Sequence, residues 1–225
     1  MSDGGTRDRP SQAHAGRWMV AVVFLHVTVA AVHIVRRLSI RHDFGPSTWD
    51  FFWQNLSTAD LRERALQSLW YLHTQPPFWN AFNAPLVKIF GDLQPEALQL
   101  LHLLMGAAMA VLIATRLTAS VAAGVVAGAL VALDPALVLY EAYALYETLC
   151  AFLVMVMFLA LVKAGPEGRT GPLLVVLAAL SVLVLTRSLF HLALLVPAVA
   201  GAAVLARRPR LVLVWGAAFA LLPAG

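Results

Sequence analysis

Asp43, Asp50, Glu141 and Glu147 are acids set among apolar or aromatic neighbours, where a carboxylate can move a proton or hold a polar ligand. Asp43 follows Arg41-His42, and Asp50 lies between Trp49 and Phe51, where ring burial raises a carboxyl pKa and nearby cations lower it. Either aspartate has the chemistry of a general base; the alternative for each is a turn or cap residue ahead of a surface helix. Glu141, Glu147 and Arg187 stand in or beside apolar runs. There a charge costs roughly 2.5–3.5 kcal/mol near a helix centre, so such groups are usually paired or functional. On a helical wheel Tyr140, Tyr143 and Glu147 share a face while Glu141 points about 120° away, so Glu147 is expected to face a site. The alternatives are an ion pair between Glu147 and Arg187 and a solvated rim position for Glu141. His191, four residues after Arg187, falls on the same helix face near the same membrane edge.

A second constellation is His73-Thr74-Gln75-Pro76-Pro77-Phe78-Trp79-Asn80, in which His73, Gln75 and Asn80 supply hydrogen-bonding groups for a polar ligand. Each proline lacks an N–H and pushes its predecessor out of helical geometry, which predicts an extended turn. The flanking rings of Trp70, Tyr71, Phe78 and Trp79 favour a membrane–water interface. The alternative is an interfacial loop that only anchors the chain in lipid.

Other polar groups have simpler readings. Asp60 and Glu63 alternate with Arg62 and Arg64 as on a solvated helix face, and Asp92 and Glu96 flank Pro95 as in a turn and helix start. His26, His33 and His102 are scattered along apolar helices, and no H-E-x-x-H, C-x-x-C or D-x-D pattern is present, so they read as packed histidines. Asn55-Leu56-Ser57 fits the short glycosylation sequon. The Gly/Ala-rich run Ala119–Ala132 suits close helix packing in lipid and lacks the strand that a phosphate-binding glycine loop follows.

The elements that must position these residues are membrane helices. Of the 225 residues 60% are hydrophobic and 12% charged, about half the roughly 25% charged content of soluble domains. The net charge of +4 is assigned to topology and anionic lipid, and nucleic acid is excluded as a partner. The single cysteine, Cys150, allows no intrachain disulfide. The predicted fold class is all-α: a polytopic bundle of about six or seven transmembrane helices with a large outer loop of surface helices after the first span. Residues 1–16 read as a disordered cytoplasmic tail and 17–225 as one transmembrane domain. Arg17–Val35 matches the roughly 20 residues that cross the hydrocarbon, with no cleavage site after it. Residues 36–96 form the outer loop, expected to hold two or three amphipathic helices. Further spans are predicted at Ala97–Thr115, Thr118–Leu133, 146–164, Pro172–Thr186, Leu189–Ala206 and Leu211–Gly225.

With the N-terminus inside, Arg7, Arg9, Arg17, Arg116, Lys163, Arg169, Arg207, Arg208 and Arg210 lie on the cytoplasmic face, as the excess of basic residues in inner loops requires. Asp134, Glu141, Glu147, Arg187 and the long loop then share the outer face. The expected location is the plasma (cytoplasmic) membrane, with the active face outside.

In this order of features the chain resembles the membrane glycosyltransferases of the GT-C fold, in the branch of the protein O-mannosyltransferases and aminoarabinose transferases. The resemblance covers roughly residues 17–205. It is carried by the acid-bearing loop after the first span, the turn with histidine, two prolines and an aromatic, Ile89-Phe90-Gly91, Asp134-Pro135 with Tyr140 and Glu147, and Arg187 closing a later span. Two departures stand out: the family's adjacent acids are here the separated Asp43 and Asp50, and its His-Pro-Pro is opened by Thr74-Gln75. The resemblance implies inverting transfer of a sugar from a polyprenyl-phosphate donor to a glycan, lipid or protein acceptor. Asp43 or Asp50 would be the catalytic base, and His73, Gln75, Asn80, Glu141, Tyr143 and Glu147 would form the sugar pocket. Arg187, Arg41 and His191 would hold the lipid phosphate, since guanidinium matches phosphate geometry and stays charged. No cofactor is expected, and no sequence pattern supports a divalent metal. The family's larger number of spans implies the N-terminal part of a longer protein. The rival classes are a transporter or flippase of a lipid-linked substrate, which commonly shows inverted repeats and midplane sites, and a non-catalytic membrane assembly protein.

Overall fold

The computed structural model describes residues 24, 27–28, 31–32, 35, 55–71, 77–116, 121–136, 140, 145–186 and 192–221. Over these residues the protein is all-helical, without strands. The helices are α1 (Thr58–Glu63), α2 (Ala65–Trp70), α3 (Phe78–Phe90), α4 (Gln94–Arg116), α5 (Val121–Ala132), α6 (Glu147–Ala164), α7 (Thr170–Thr186), α8 (Leu192–Leu205) and α9 (Pro209–Leu221), with a 3₁₀ turn at Gly91–Leu93.

The loop helices begin and end where local chemistry dictates. Ser57 caps α1: its Oγ accepts the Asp60 N–H at 3.1 Å and its hydroxyl donates to Asp60 Oδ2 at 2.8 Å. Arg64 donates through Nε to Asp60 Oδ1 at 2.7 Å. The Arg64 and Ser57 hydrogen bonds hold the Asp60 carboxyl below the ordinary aspartate range. The sign of the pH effect follows: the cap is intact above the usual aspartate pKa and weakens as pH falls through the lowered value of Asp60. Ser57→Ala should cost about 1 kcal/mol of local stability. Hydrogen exchange at Leu61 and Arg62 is the measurement, and α1 amides should lose protection in that variant at neutral pH.

Only the last residue of the expected extended turn, Pro77, is described, since Gln75 and Pro76 lie outside the described residues. It sits in helical geometry (φ −79°, ψ −18°) as the residue that opens α3, where a missing N–H does no harm. Helix α3 runs through Pro85 and stops at Gly91, whose φ of +56° favours glycine. The α6–α7 turn likewise uses Gly165 (φ +59°) and Gly168 (φ +60°). At Gly168 an added Cβ would run into the Leu205 carbonyl at the end of α8.

The chain divides into two compact units, Met1–Arg41 with Gly106–Val138, and His42–Met105 with Leu139–Gly225. Helix α4 passes from one to the other at Gly106. In the first unit Ala107, Met109 and Ala110 are buried, while Val126, Leu130 and Leu133 are exposed. In the second, α3 packs on α1, α2 and α7, α6 lies along α7, and α7, α8 and α9 contact one another. One core joins Leu61, Ala65, Trp79, Ala84, Val87, Leu98 and Leu149; another joins Leu177, Ala202 and Val212. Where α9 meets α8, a Cβ on Gly216 would strike the Val199 side chain, the close approach that small residues permit. Two hydroxyls within α7 are satisfied by the preceding turn, Ser181 on the Leu177 carbonyl at 2.8 Å and Thr186 on that of Val182 at 2.6 Å.

Among the described residues, α6 is the helix that by length and composition can cross a membrane. It coincides with the predicted span 146–164 but for Tyr146, its N-cap. Helix α4, with 23 residues, contains the predicted span Ala97–Thr115. The described parts of α5, α8 and α9 have 12, 14 and 13 residues, and the predicted spans Thr118–Leu133, Leu189–Ala206 and Leu211–Gly225 extend into residues outside those described. Large apolar side chains stay exposed along several helices, including Leu100, Leu104, Val154, Phe158, Val175, Val196, Val204 and Leu213.

Candidate functional site

The polar groups that the structure gathers lie where α3 meets the beginnings of α4 and α6, all in the second unit. Trp79 is the hub. Its side chain is 1% exposed, its ring stacks on His102 of α4 at 6.0 Å and on Phe82 at 5.8 Å, and it meets the Tyr146 edge at 6.2 Å. Its indole N–H donates to Asn55 Oδ1 at 3.0 Å. The ring was expected at a membrane interface with Trp70 and Tyr71. Those two are exposed at 70% and 65%, whereas the fourfold packing of Trp79 draws it into the core.

Asn80, expected to bind substrate, is fully buried, and its Oδ1 accepts the Leu56 N–H at 2.7 Å. It therefore brackets the segment before α1 to α3. Asn83, one turn on, donates to the Trp79 carbonyl at 2.9 Å and accepts from Gln94 Nε2 at 3.2 Å, both residues being buried. These amides bind α3 to the start of α4 with few polar groups left to water, as buried polar groups require. Both sequon positions are occupied in the same way: Asn55 holds the Trp79 indole, and Ser57 caps α1.

Glu147 is the first residue of α6, an acid where the helix dipole favours negative charge. It is half-buried. Its Oε2 is buried and meets no hydrogen-bond partner among the described residues, and the same holds for the Thr148 hydroxyl beside it. Trp79 and Tyr146 thus bring the loop helix α3 to the turn that carries Glu147. Tyr140, on the predicted face with Glu147, is half-buried. Arg41, Asp43, Asp50, His73, Gln75, Glu141, Tyr143, Arg187 and His191 lie outside the described residues.

Among the described residues no group of three His, Cys, Asp or Glu side chains is placed to hold a metal ion. His102 is packed against Trp79, in line with its expected structural place. The acids of the loop are engaged at the surface: Asp60 with Arg64, and Asp92 with Arg62 at 3.3 Å. The Arg62–Asp92 pair is largely exposed and contributes little to stability, whereas Asp60 is half-buried. Sequence reading missed Asn83, Gln94 and Thr148. The spacing of Trp79, Asn83 and Leu86 along α3 marks one helical stripe, yet an asparagine in such a stripe reads as solvent-facing until its partner, eleven residues away, is known.

No family model matches the chain, and no curated protein or solved structure is similar to it.

Proposed function

We propose that the chain is a multi-pass membrane glycosyltransferase of the GT-C kind, transferring a sugar from a polyprenyl-phosphate donor to a glycan, lipid or protein acceptor at the outer face. The observation that carries this reading is the first turn of α6. A buried carboxylate oxygen of Glu147 is without a partner among the described residues, beside the Thr148 hydroxyl and next to the Trp79–Tyr146 contact. Sugars offer hydroxyl donors to such an acceptor. In this reading Asp43 or Asp50 takes the acceptor proton and the acceptor oxygen bonds to the anomeric carbon from the face opposite the phosphate. The bond from that carbon to the phosphate oxygen breaks, and the configuration inverts. Arg187, Arg41 and His191 stabilise the departing lipid phosphate. His73, Gln75, Glu141, Tyr143 and Glu147 orient the sugar, with Asn80 holding α3 in place.

The exposed apolar helix surfaces and the length of α6 support a membrane setting, and the turns on either side of the α7–α8 pair support the orientation. Glu167 and Arg207 join those turns at the end of α6 remote from Glu147, and five cations collect there, as on a cytoplasmic face. The test is binding of a polyprenyl-phosphate sugar to the protein in nanodiscs. Arg187→Ala should weaken it far more than Arg62→Ala, because Arg62 already pairs with Asp92 at the surface. Equal losses would reduce the effect to general surface charge and remove the phosphate site.

A further inference from the structure

The α6–α7 and α8–α9 turns are fastened to each other. Arg207 donates its backbone N–H to the Gly168 carbonyl at 3.0 Å, its Nε to the Glu167 carbonyl at 3.0 Å and its Nη2 to Glu167 Oε2 at 2.8 Å. The Arg208 N–H bonds to Thr170 Oγ1 at 3.2 Å, and Arg169 Nε lies 3.5 Å from Glu167 Oε2. The fastening gathers Lys163, Arg169, Arg207, Arg208 and Arg210 around one acid, Glu167: five positive charges less one negative leaves +4. Glu167 is taken by Arg169 and Arg207. Lys163, Arg208 and Arg210 are exposed and have no anionic partner among the described residues. Exposed Val162 and Leu211 adjoin Lys163 and Arg210 in sequence, and exposed Val204 and Leu205 stand one turn before Arg208 at the end of α8.

We propose that these joined turns bind anionic phospholipid, with phosphodiester oxygens on Lys163, Arg208 and Arg210 and acyl chains over the neighbouring apolar side chains. Charge alone would suit any phosphate. The apolar surface next to the cations needs a cover that free phosphate lacks, and a lipid supplies both parts in one molecule. The inference uses only the membrane placement in the proposed function and is independent of sugar transfer.

The experiment is lipid retention by the protein taken from nanodiscs of phosphatidylcholine mixed with phosphatidylglycerol, read by native mass spectrometry. Wild type should retain phosphatidylglycerol in preference to phosphatidylcholine, and neutralising each cation should lower that preference by about fivefold. Lys163→Gln/Arg208→Gln/Arg210→Gln should abolish it. Unchanged preference in the triple variant overturns the proposal, and so does displacement of phosphatidylglycerol by inorganic phosphate alone. Should the triple variant misfold, the three single variants decide the question by the same fivefold steps. A wild-type chain that enters nanodiscs without any preference sinks this inference only, whereas one that cannot be reconstituted sinks the membrane placement as well.

Discussion

Sugar transfer should fall by about 10²–10⁴-fold when the true base among Asp43 and Asp50 is replaced by asparagine, with donor-lipid binding and membrane yield nearly unchanged. Asparagine keeps the size and shape of the side chain and removes the proton acceptor, so the loss should appear in the rate rather than in binding. These two are the loop acids left once the others are accounted for: Asp60 is held by Ser57 and Arg64, Asp92 by Arg62, and Glu96 is exposed in the first turn of α4. Glu63 lies between those two arginines in an exposed helix. Asp43 is favoured because it is nearer the first predicted span and Arg41. Measured with a lipid-linked donor in nanodiscs, full transfer by both Asn variants, singly and together, would sink the proposed mechanism.

Trp79→Ala should destabilise the second unit by about 3–5 kcal/mol, the usual cost of emptying a large aromatic site. The side chain is 1% exposed within the core that also holds Leu61, Leu98 and Leu149, so its loss leaves a void there and removes the indole donor to Asn55 Oδ1. Trp79→Phe separates the two contributions. It keeps most of the packing and loses the indole hydrogen bond, at a cost of about 0.5–1.5 kcal/mol. Denaturant unfolding in detergent micelles gives both values. An alanine variant as stable as wild type would mean that the cluster does not hold the loop helices to α6.

Much of this architecture could be read from residues whose effects are local. The glycines of Gly165-Pro166-Glu167-Gly168 mark a turn because positive φ suits them, and the turn is where they placed it. The apolar run after Tyr146 gives α6 its length, and Gly91 ends α3. What could not be read depends on partners distant in sequence. Nothing near Trp79 says that its indole will find Asn55, 24 residues away, so its amphipathic character alone pointed to an interface. Asn80 looked free to bind a ligand for the same reason: its acceptor is taken by a backbone N–H also 24 residues away. At α5, α8 and α9 the described helices overlap the apolar runs that marked them, and one end of each run lies outside the described residues. For Glu147, the wheel predicted the face it shares with Tyr140, and its buried Oε2 has no hydrogen-bond partner among the described residues.

The junction of Glu167 and Gly168 with Leu205 and Arg207 also bears on how the chain is made. Its two halves are 40 residues apart, and a ribosome adding roughly 5–20 residues per second needs about 2–8 s to travel between them. For that interval the α6–α7 hairpin exists without its clasp, and Glu167 has only Arg169 to pair with. Maturation of this part of the chain is therefore a two-stroke event, in which the first hairpin waits and the second closes it. A bulky residue at Gly168 would obstruct both strokes, straining the first turn at its φ of +60° and then running into the Leu205 carbonyl when the second closes.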